Sequence, residues 1–430
     1  MLIFVAMMGA LLVLMLLGLP VAASMGLTSV VTLGFLRGFG AIPWDILSQR
    51  IIYGVTNFTL LAIPFFLFAG RLANEVQVTD RIFNFAKSLV GHFRGGLGHV
   101  NILGSMIFAG MSGSAVADAG GLGQMEIKAM VDEGYTLEFS TAVTAASATI
   151  GPIIPPSIPM VIYGAVAGES VAKLLIAGFI PGVLMGLAMI GLLVLMAPWY
   201  GFQPKPRAPL REIATALKQG FLPLLAPVIL IGGIISGIFT PTEAAAVAVV
   251  YVIVMGVVYR TLTWRGLLAV LRNSMLDTAI ILLIVSTSSI YGWVIARYQL
   301  TDALVNWMAG AVASPLLFLL IINLFLLVVG CFIDATPALF ILTPIFMPMV
   351  KQYGIDPIHF GVIMVFNLMI GLVTPPVGTV LYTLTRVTGI PLERLSYAML
   401  PWYLPLAATL CAIVLFPSIS VWLPSLMLGR

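Results

Sequence analysis

The chain has 430 residues, of which 61% are hydrophobic and 8% are charged, and its formal net charge is +4. A soluble domain carries about 25% charged residues, so this composition excludes a soluble fold and predicts a polytopic all-α membrane protein. The small, dispersed charge gives no basis for nucleic-acid binding. Cys331 and Cys411 lie in apolar segments, and their spacing predicts neither a metal site nor a disulfide framework.

The chain begins with an apolar run, residues 2–36, that a Gly-Leu-Pro sequence divides into one bent or two short helices. The run has no basic leader, so we expect a retained membrane helix rather than a signal peptide. A second apolar segment covers residues 51–73. In residues 79–89 the polar and apolar side chains separate onto opposite faces. This pattern predicts an amphipathic helix on the membrane surface, capped by Thr79 or Asp80.

Residues 98–134 have the pattern of a re-entrant helical hairpin. Residues 100–111 are apolar, residues 112–123 read SGSAVADAGGLG, and residues 124–131 become apolar again. Neither arm has the roughly 20 residues of a full span. A small, polar tip at membrane depth is tolerated where it is buried in protein or faces a water-filled cavity. Two closely packed helices with an interface of small residues are the alternative.

A proline-broken transmembrane helix is predicted for residues 136–166, because four prolines and a glycine lie within residues 151–159. Proline removes a backbone donor and disfavours helical geometry in the residue before it, but it is well tolerated in the first turn of a helix. We therefore expect a helix to about Thr149, an unwound stretch over residues 151–155, and a new helix from Pro156.

Residues 200–219 form the clearest loop and divide the chain into residues 1–199 and 220–430. The loop holds four basic residues against one acid, so the positive-inside rule predicts a cytoplasmic linker. The second half repeats the first, with a hairpin pattern in residues 316–354 and a Pro-broken helix in residues 356–386. The two Pro-Pro pairs are 220 residues apart (375 minus 155). We expect two structural repeats that are inverted relative to each other in the membrane.

Several motifs occur in a characteristic order. GHFRGGLGHVN leads into the first hairpin, and FAGMSGSAVAD lies within it. GPIIPPSIPMVIYG lies in the first broken helix, and FTPTEAAAV and GLVTPPVGT follow in the second half. With these motifs the chain resembles the large membrane subunit (DctM-like, M subunit) of tripartite ATP-independent periplasmic (TRAP) transporters, from near residue 1 to about residue 410.

The resemblance implies secondary import of an organic anion into a bacterial cell across the inner membrane, driven by sodium. A periplasmic binding protein would deliver the substrate, a carboxylate such as a C4-dicarboxylate, a sialic acid or another sugar or keto acid. The small four-helix membrane subunit is expected to be a separate chain. The hairpins and broken helices would form a transport domain that moves like an elevator against a scaffold, with lipid around both.

An interrupted helix offers free carbonyls to a cation and a positive helix N-terminus to an anion. One sodium ion is expected at the first break with the first hairpin tip, and a second at the repeated position. The residues expected to contribute are Ser112, Ser114, Ser147, Thr149, Gly151 and Ile154 for the first ion, and Asp334, Thr336, Asn367, Gly371 and Thr374 for the second.

The substrate carboxylate is expected at the starts of the second half-helices, where backbone donors suit an anion without a buried arginine. The residues predicted to surround it are Pro155, Pro156, Ser157, Pro375, Pro376, Gly378 and Thr379. Acids at membrane depth are functional candidates by default, so Asp118 and Asp334 are expected either to ligate an ion or to cap a hairpin turn.

Two other functions remain open. Neither is an enzyme or an ATP-driven transporter. The sequence has no nucleotide-binding loop and no combination of nucleophile and base, so it does not predict ATP coupling, enzymatic activity or an organic cofactor. A stand-alone sodium-coupled carboxylate symporter would have similar hairpins and broken helices but would need no binding protein. A passive channel or facilitator would show flux without sodium dependence.

Overall fold

The computed structural model describes residues 2–312 and 314–429, and the regular secondary structure within those ranges is helical. The helices of the first half are α1 Leu2–Leu16, α2 Val21–Arg37, α3 Trp44–Val55, α4 Ala62–Glu75, α5 Val78–Val90, α6 Gly96–Ser112, α7 Ala115–Gly120, α8 Leu122–Asp132, α9 Leu137–Ala148, α10 Ile158–Ala167, α11 Val171–Ala177 and α12 Phe179–Met196.

The second half has a similar order of long and short helices. They are α13 Leu210–Ile235, α14 Pro241–Val258, α15 Trp264–Arg297, α16 Asp302–Ala311, α17 Pro315–Phe332, α18 Ala335–Gln352, α19 Pro357–Gly371, α20 Thr379–Thr388, α21 Leu392–Met399, α22 Tyr403–Leu415 and α23 Ser418–Leu428. Short 3-10 turns cover Phe39–Ala41, Phe58–Leu61 and Leu400–Trp402.

Within the described ranges, seven helical segments are long and apolar enough to cross a membrane, which makes the chain a polytopic membrane protein. They are Phe58–Glu75, Val171–Met196, Leu210–Ile235, Pro241–Val258, Trp264–Arg297, Pro315–Phe332 and Leu392–Leu415. The segment Pro315–Phe332 is the first arm of the second hairpin pattern. This arm reaches the length of a span, whereas the corresponding helix α6 has 17 residues.

Three local predictions need correction or refinement. The N-terminal run forms two helices, with its break at the Gly-Leu-Pro sequence. The second part of the predicted linker is helical, because α13 already begins at Leu210. The predicted cap of the surface helix is wrong, since α5 begins after Gln77, which is left-handed (φ 59°), and Thr79 is buried inside the helix. At the start of α14, Thr240 and Glu243 form a capping box.

Both proline-rich segments interrupt a helix at the expected places. The first helix ends at Ala148 and restarts at Ile158, and the second ends at Gly371 and restarts at Thr379. The Pro155-Pro156 and Pro375-Pro376 bonds are both cis. The unwound stretch at the first break is longer than expected by about two residues at each end, because Ser157 rather than a proline caps the new helix.

The helices pack in two groups. In one group, α15 packs against α2, α3 and α4, α14 packs against α4, and α13 packs against α5. In the other group, α6 and α8 pack against α9, α17 and α18 pack against α19, and α12 packs against α22. The seam between the groups lies where α4 and α5 contact α6, where α4 contacts α10 and where α15 contacts α18. Both hairpin tips lie at this seam.

Candidate functional site

The first hairpin tip lies directly against the first helix break. Gly113, between α6 and α7, is left-handed (φ +60°), and its carbonyl oxygen accepts a hydrogen bond from Ile158 N at 3.5 Å. A Cβ at Gly113 would lie 2.6 Å from the Pro156 carbonyl oxygen, so only glycine allows this approach. A Cβ at Gly151 would lie 3.5 Å from the Ser114 carbonyl oxygen. The fold therefore brings together the tip and break residues that were predicted to share a site.

Several oxygen atoms near this junction have no hydrogen-bond partner. Among the described residues, the carbonyl oxygens of Thr149 and Gly151 accept no hydrogen bond. Ser112 Oγ is buried and has no hydrogen-bond partner, whereas Ser114 Oγ caps α7 by accepting from Ala117 N at 3.4 Å. Unpaired buried oxygens are costly in a membrane interior unless a cation or water satisfies them.

Behind the first break, a chain of polar side chains joins α6 to α9. Ser105 Oγ lies 3.2 Å from Ser147 Oγ, and Ser147 Oγ donates to Asn101 Oδ1 at 2.6 Å. Asn101 Nδ2 in turn donates to Thr144 Oγ1 at 2.7 Å. Ser147 was predicted to ligate sodium, but its oxygen is engaged in this network and its side chain is fully buried.

The second tip meets the second break through Asp334. Asp334 Oδ1 accepts from Thr336 N at 3.1 Å and caps α18, while Thr379 Oγ1, at the start of α20, donates to Asp334 Oδ2 at 3.3 Å. The backbone also closes the junction, since Val377 N donates to the Cys331 carbonyl oxygen at 3.1 Å. One carboxylate therefore caps α18 and links the hairpin tip to the restarted helix.

Hydrogen bonds of polar side chains also join the helices next to the second junction. Asn367 Nδ2 donates to Asn323 Oδ1 at 2.7 Å, and both side chains are buried between α17 and α19. Thr374 Oγ1 donates to the Ile370 carbonyl oxygen at 2.7 Å. Gly371 lies so close to Gly330 that a Cβ on it would come within 2.5 Å of the Gly330 backbone. Asn367 therefore fixes the packing of two helices rather than facing open space.

A cavity of about 420 Å³ lies between the two tips and α15. The first tip contributes Ser114, the second contributes Asp334 and Thr336, and the two breaks contribute Pro152 and Leu372. The α15 wall is mostly isoleucine, with Asp277 at one end. Concave, largely apolar pockets with a few convergent polar groups are typical of small-molecule sites. Residues from both halves of the chain therefore line one cavity.

An ion pair stands at the margin of this cavity. The Arg71 guanidinium on α4 pairs with the Asp277 carboxylate on α15, and about 38% and 37% of their side-chain surfaces are exposed. Arg71 lines an adjoining cavity of about 510 Å³ that also includes Ser112, Ser114 and Asp277. A charged pair at membrane depth is expected to serve function, and Arg71 was not predicted from the sequence.

Several of the residues predicted to surround the substrate are buried. Ser157 is fully buried, donates to the Pro152 carbonyl oxygen and accepts from Met160 N, so it is a cap and not an exposed ligand. Pro155 and Pro156 are buried, and Gly378 is a left-handed turn residue (φ +48°). Pro375 and Pro376 at the second break and Thr379 retain exposed surface. The second junction is therefore more accessible than the first.

Asp118 does not cap the hairpin turn. Ser114 performs that role for α7, and Asp118 Oδ2 is buried without a partner. Sequence reasoning missed Glu126, Arg71 and Asp277, although Arg71 and Asp277 are charged residues within long apolar segments. That rarity was the available signal, since charged residues inside membrane segments are uncommon.

The DctM-component family of tripartite ATP-independent periplasmic transporters matches residues 8–419. The sialic acid TRAP transporter large permease protein SiaM of Vibrio cholerae serotype O1 is 46% identical over 413 residues, which cover 96% of each chain. The C4-dicarboxylate TRAP transporter large permease protein DctM of Pseudomonas aeruginosa is 39% identical over 380 residues, covering 88% of this chain and 89% of its own. The YdaH transporter structure of Alcanivorax borkumensis has a TM-score of 0.65 at 15% identity, over 89% of this chain and 90% of its own, which is a likeness of fold alone.

Apolar helices that cross a membrane and surround a cavity define a multi-pass membrane transport protein. The chain belongs to the family of DctM components, the large permease subunits of TRAP transporters. Members of this family are transporters of the bacterial inner membrane and not enzymes, and they work with a small membrane subunit and a periplasmic binding protein. The resemblance noted in the sequence is confirmed.

Proposed function

We propose that this chain is the permease of a sodium-coupled importer of a carboxylate, and that a periplasmic binding protein delivers the substrate. The main support is the cavity of about 420 Å³ onto which both hairpin tips and both helix breaks open. Two relatives are named as transporters of sialic acid and of C4-dicarboxylates, so an organic acid of one of these classes is the expected substrate.

Sodium is proposed to bind at each junction of tip and break. At the first, the free carbonyls of Thr149 and Gly151 and the unpartnered Ser112 hydroxyl supply hard oxygen ligands. At the second, Asp334 supplies a charge next to Thr379 and Thr336. Each ion would hold a tip against its break, so sodium would order the wall of the substrate cavity before the anion arrives.

Arg71 is proposed to attract the substrate carboxylate. Its guanidinium is held by Asp277 and keeps more than a third of its surface open to the adjoining cavity. Guanidinium and carboxylate form strong charge-assisted hydrogen bonds, so an incoming anion would share Arg71 with Asp277. This role replaces the expectation that backbone donors alone hold the anion.

An elevator movement is proposed on the basis of the two packing groups. The group around α15 would be the scaffold, and the group of hairpins and broken helices would be the transport domain, built from inverted repeats. Another cavity, distinct from the one beside Arg71 and also of about 510 Å³, lies farther along α15. It is lined by Ser288 and Trp293 of that helix, Ala165 of α10 and Phe340 of α18. Cavities at two levels of one helix suit a domain that slides along it.

Uptake into proteoliposomes tests the function. The chain is reconstituted with its small membrane subunit and given labelled sialic acid or C4-dicarboxylate. An inward sodium gradient is compared with none, each with and without the cognate binding protein. Uptake that requires both supports the proposal. Sodium-driven uptake without the binding protein identifies a stand-alone symporter, and flux indifferent to sodium identifies a facilitator.

Asp334→Asn tests the second ion site within the same assay. Asparagine is as good a helix cap as aspartate, so α18 keeps its start while the charge is lost. We expect the sodium concentration for half-maximal uptake to rise by about tenfold, the equivalent of roughly 1.4 kcal/mol. Asp302→Asn, at an exposed position on α16, is the matched control. An unchanged sodium dependence in Asp334→Asn would remove that carboxylate from the proposed site.

A further inference from the structure

The cavity of about 510 Å³ between α3 and the far end of α15, here called the Arg50 cavity, is lined by one arginine and no acid. Arg50 on α3 is the one charged residue among the described residues that line it. Its guanidinium lies 5.9 Å from the centre of the Trp293 ring on α15, and none of the four ion pairs among the described residues includes it. The cavity at the hairpin tips differs, because Asp277 and Asp334 line it. The Arg50 cavity therefore carries a positive charge in an otherwise neutral wall.

Other groups of the Arg50 cavity suit an organic acid. Asn57 Oδ1 accepts a hydrogen bond from Thr59 N at 3.0 Å, which orients the amide and leaves its Nδ2 as a donor. Ser288 Oγ donates to a backbone carbonyl oxygen of its own helix at 2.8 Å, so its lone pairs can accept from a substrate hydroxyl. The Trp293 ring offers an apolar face to a carbon skeleton. The cavity thus combines donors for a carboxylate with groups for the rest of the molecule.

The two walls of this cavity belong to different helix groups. A Cβ at Gly54 on α3 would lie 2.9 Å from Ser289 Cβ and 3.3 Å from the Val285 carbonyl oxygen on α15, so these two helices pack closely through a glycine. Ala165 of α10 and Phe340 of α18 form the opposite wall. The guanidinium is therefore fixed to the group around α15, and the group of hairpins and broken helices faces it.

Two helices of the hairpin group reach both cavities. In α10, Ile158 lines the cavity at the tips and Ala165 lines the Arg50 cavity. In α18, Ala335 lines the first and Phe340 the second. The seven residues of helix between Ile158 and Ala165 (165 minus 158) span roughly 10 Å. A displacement of that size along α15 would bring the starts of α10 and α18, which adjoin the hairpin tips, to the Arg50 cavity.

The Arg50 cavity lies at the end of α15 that is far from the linker. Tyr259, just after α14, donates through its hydroxyl to the carbonyl oxygen of Gln219 in the linker at 3.0 Å, so α15 begins on the side of the linker. Ser288 and Trp293 of the Arg50 cavity lie near the other end of this helix. With the linker in the cytoplasm, as its basic residues predict, the Arg50 cavity faces the periplasm.

We propose that the Arg50 cavity is a second binding site for the substrate, in which Arg50 holds the carboxylate on the periplasmic side before the hairpin tips carry it towards Arg71. A guanidinium binds a carboxylate through two parallel hydrogen bonds. Arg50 has no acidic partner to give up when the anion arrives, whereas Arg71 is shared with Asp277. This inference rests on the proposed import of a carboxylate and adds an earlier station to its path.

Uptake by arginine variants tests the site. The chain is reconstituted with its small membrane subunit, and uptake of labelled sialic acid and labelled succinate is measured at rising concentrations of the loaded binding protein, for wild type, Arg50→Gln and Arg37→Gln. Arg37 is the matched control, because it is also exposed and lies 5.9 Å from an aromatic ring, that of Tyr298, but lines neither cavity. We expect Arg50→Gln to raise KM by at least about tenfold, and Arg37→Gln to keep the wild-type KM.

Cysteine labelling tests the cavity without transport. Cys331 and Cys411 are first replaced by serine. Ala296→Cys, at an exposed position that lines the Arg50 cavity, is then labelled with a membrane-impermeant methanethiosulfonate. Ser236→Cys, exposed at the end of α13 that is far from the linker, is the matched control. We expect the free acids, without the binding protein, to slow the labelling of Ala296→Cys alone, and we expect Arg50→Gln to abolish this protection.

The outcomes separate this inference from the proposed function. A wild-type KM in Arg50→Gln refutes the site, and so does an equal rise in both arginine variants, because surface charge would then attract the anion in general. Protection of Ala296→Cys that persists in Arg50→Gln also refutes the role of Arg50. If Arg50→Gln does not fold, protection of Ala296→Cys with Arg50 intact supports the site and its absence refutes it. A wild type that imports neither acid overturns the proposed import, while the labelling assay still decides whether the cavity binds them.

Discussion

Replacing Gly371 with alanine is expected to destabilise the second junction severely. The new Cβ would lie 2.5 Å from the Cα and carbonyl carbon of Gly330 and 2.6 Å from its oxygen. Ordinary carbon contacts are about 3.5–4.0 Å, so α17 must move by roughly 1 Å. Overpacking costs about 1–3 kcal/mol. Because the obstacle is backbone, which has no rotamer to change, we expect about 3 kcal/mol, more than a hundredfold in the ratio of folded to unfolded protein.

Two matched glycine variants isolate the cause. Gly151 is the counterpart of Gly371 in the first repeat, but a Cβ there would meet its closest atom at 3.3 Å. We expect Gly151→Ala to cost under about 1 kcal/mol, since only a small adjustment is needed. Gly191, within α12, has nothing within 4 Å of an added Cβ. Alanine has the higher helix propensity, so Gly191→Ala should be neutral or stabilise the protein by up to about 1 kcal/mol.

The assay is thermal unfolding of the purified protein in detergent, followed by tryptophan fluorescence, together with sodium-dependent uptake. Gly371→Ala should melt well below wild type and lose uptake, while the other two variants keep both. A Gly371→Ala protein that melts with wild type would refute the steric reasoning. So would a Gly151→Ala protein that is destabilised to the same extent, because the cost would then arise from the loss of glycine itself.

Arg71→Ala should raise the KM for the substrate roughly ten- to a hundredfold, which is the range for losing a hydrogen bond to a charged group. Asp277→Asn should raise KM less. Equal KM values in Arg71→Ala and wild type would contradict the proposed role. Asn323→Leu leaves the buried Asn367 amide without its partner, so a loss of about 1–3 kcal/mol in thermal or denaturant stability is expected. Partial burial acts to raise the pKa of Glu133, but hydrogen bonds and charge from two lysines outweigh it and hold the pKa below the usual range. Its stabilisation is therefore full above the unfolded pKa of about 4.3 and is lost as the pH falls through the lower folded value. Glu133→Gln should melt earlier than wild type at pH 7, and the difference should shrink as the pH falls below about 4.3.

Much of the site could be predicted because its signals are local. Paired prolines do not fit a continuous helix, so the Pro-Pro sequences that begin at Pro155 and Pro375 were enough to mark both breaks. Single prolines are a weaker signal, since Pro223 and Pro344 remain inside helices. The small polar residues of the first tip marked the turn in the same way. Ser157 was misjudged because a serine before a helix is both a possible ligand and a good cap, and only its hydrogen bonds distinguish the two.

The sequence by itself determined the membrane setting, the helix breaks and the family, because composition, proline chemistry and motif order do not depend on distant contacts. Tertiary structure alone decided which charges meet. Arg71 and Asp277 are 206 residues apart, and no periodicity links them. Tertiary structure also buried Glu126 beside Asp118, since burial depends on the helices that cover a residue. A buried charge is costly unless an opposite charge or hydrogen-bond partner lies next to it, so the site exists only once the fold has brought these groups together.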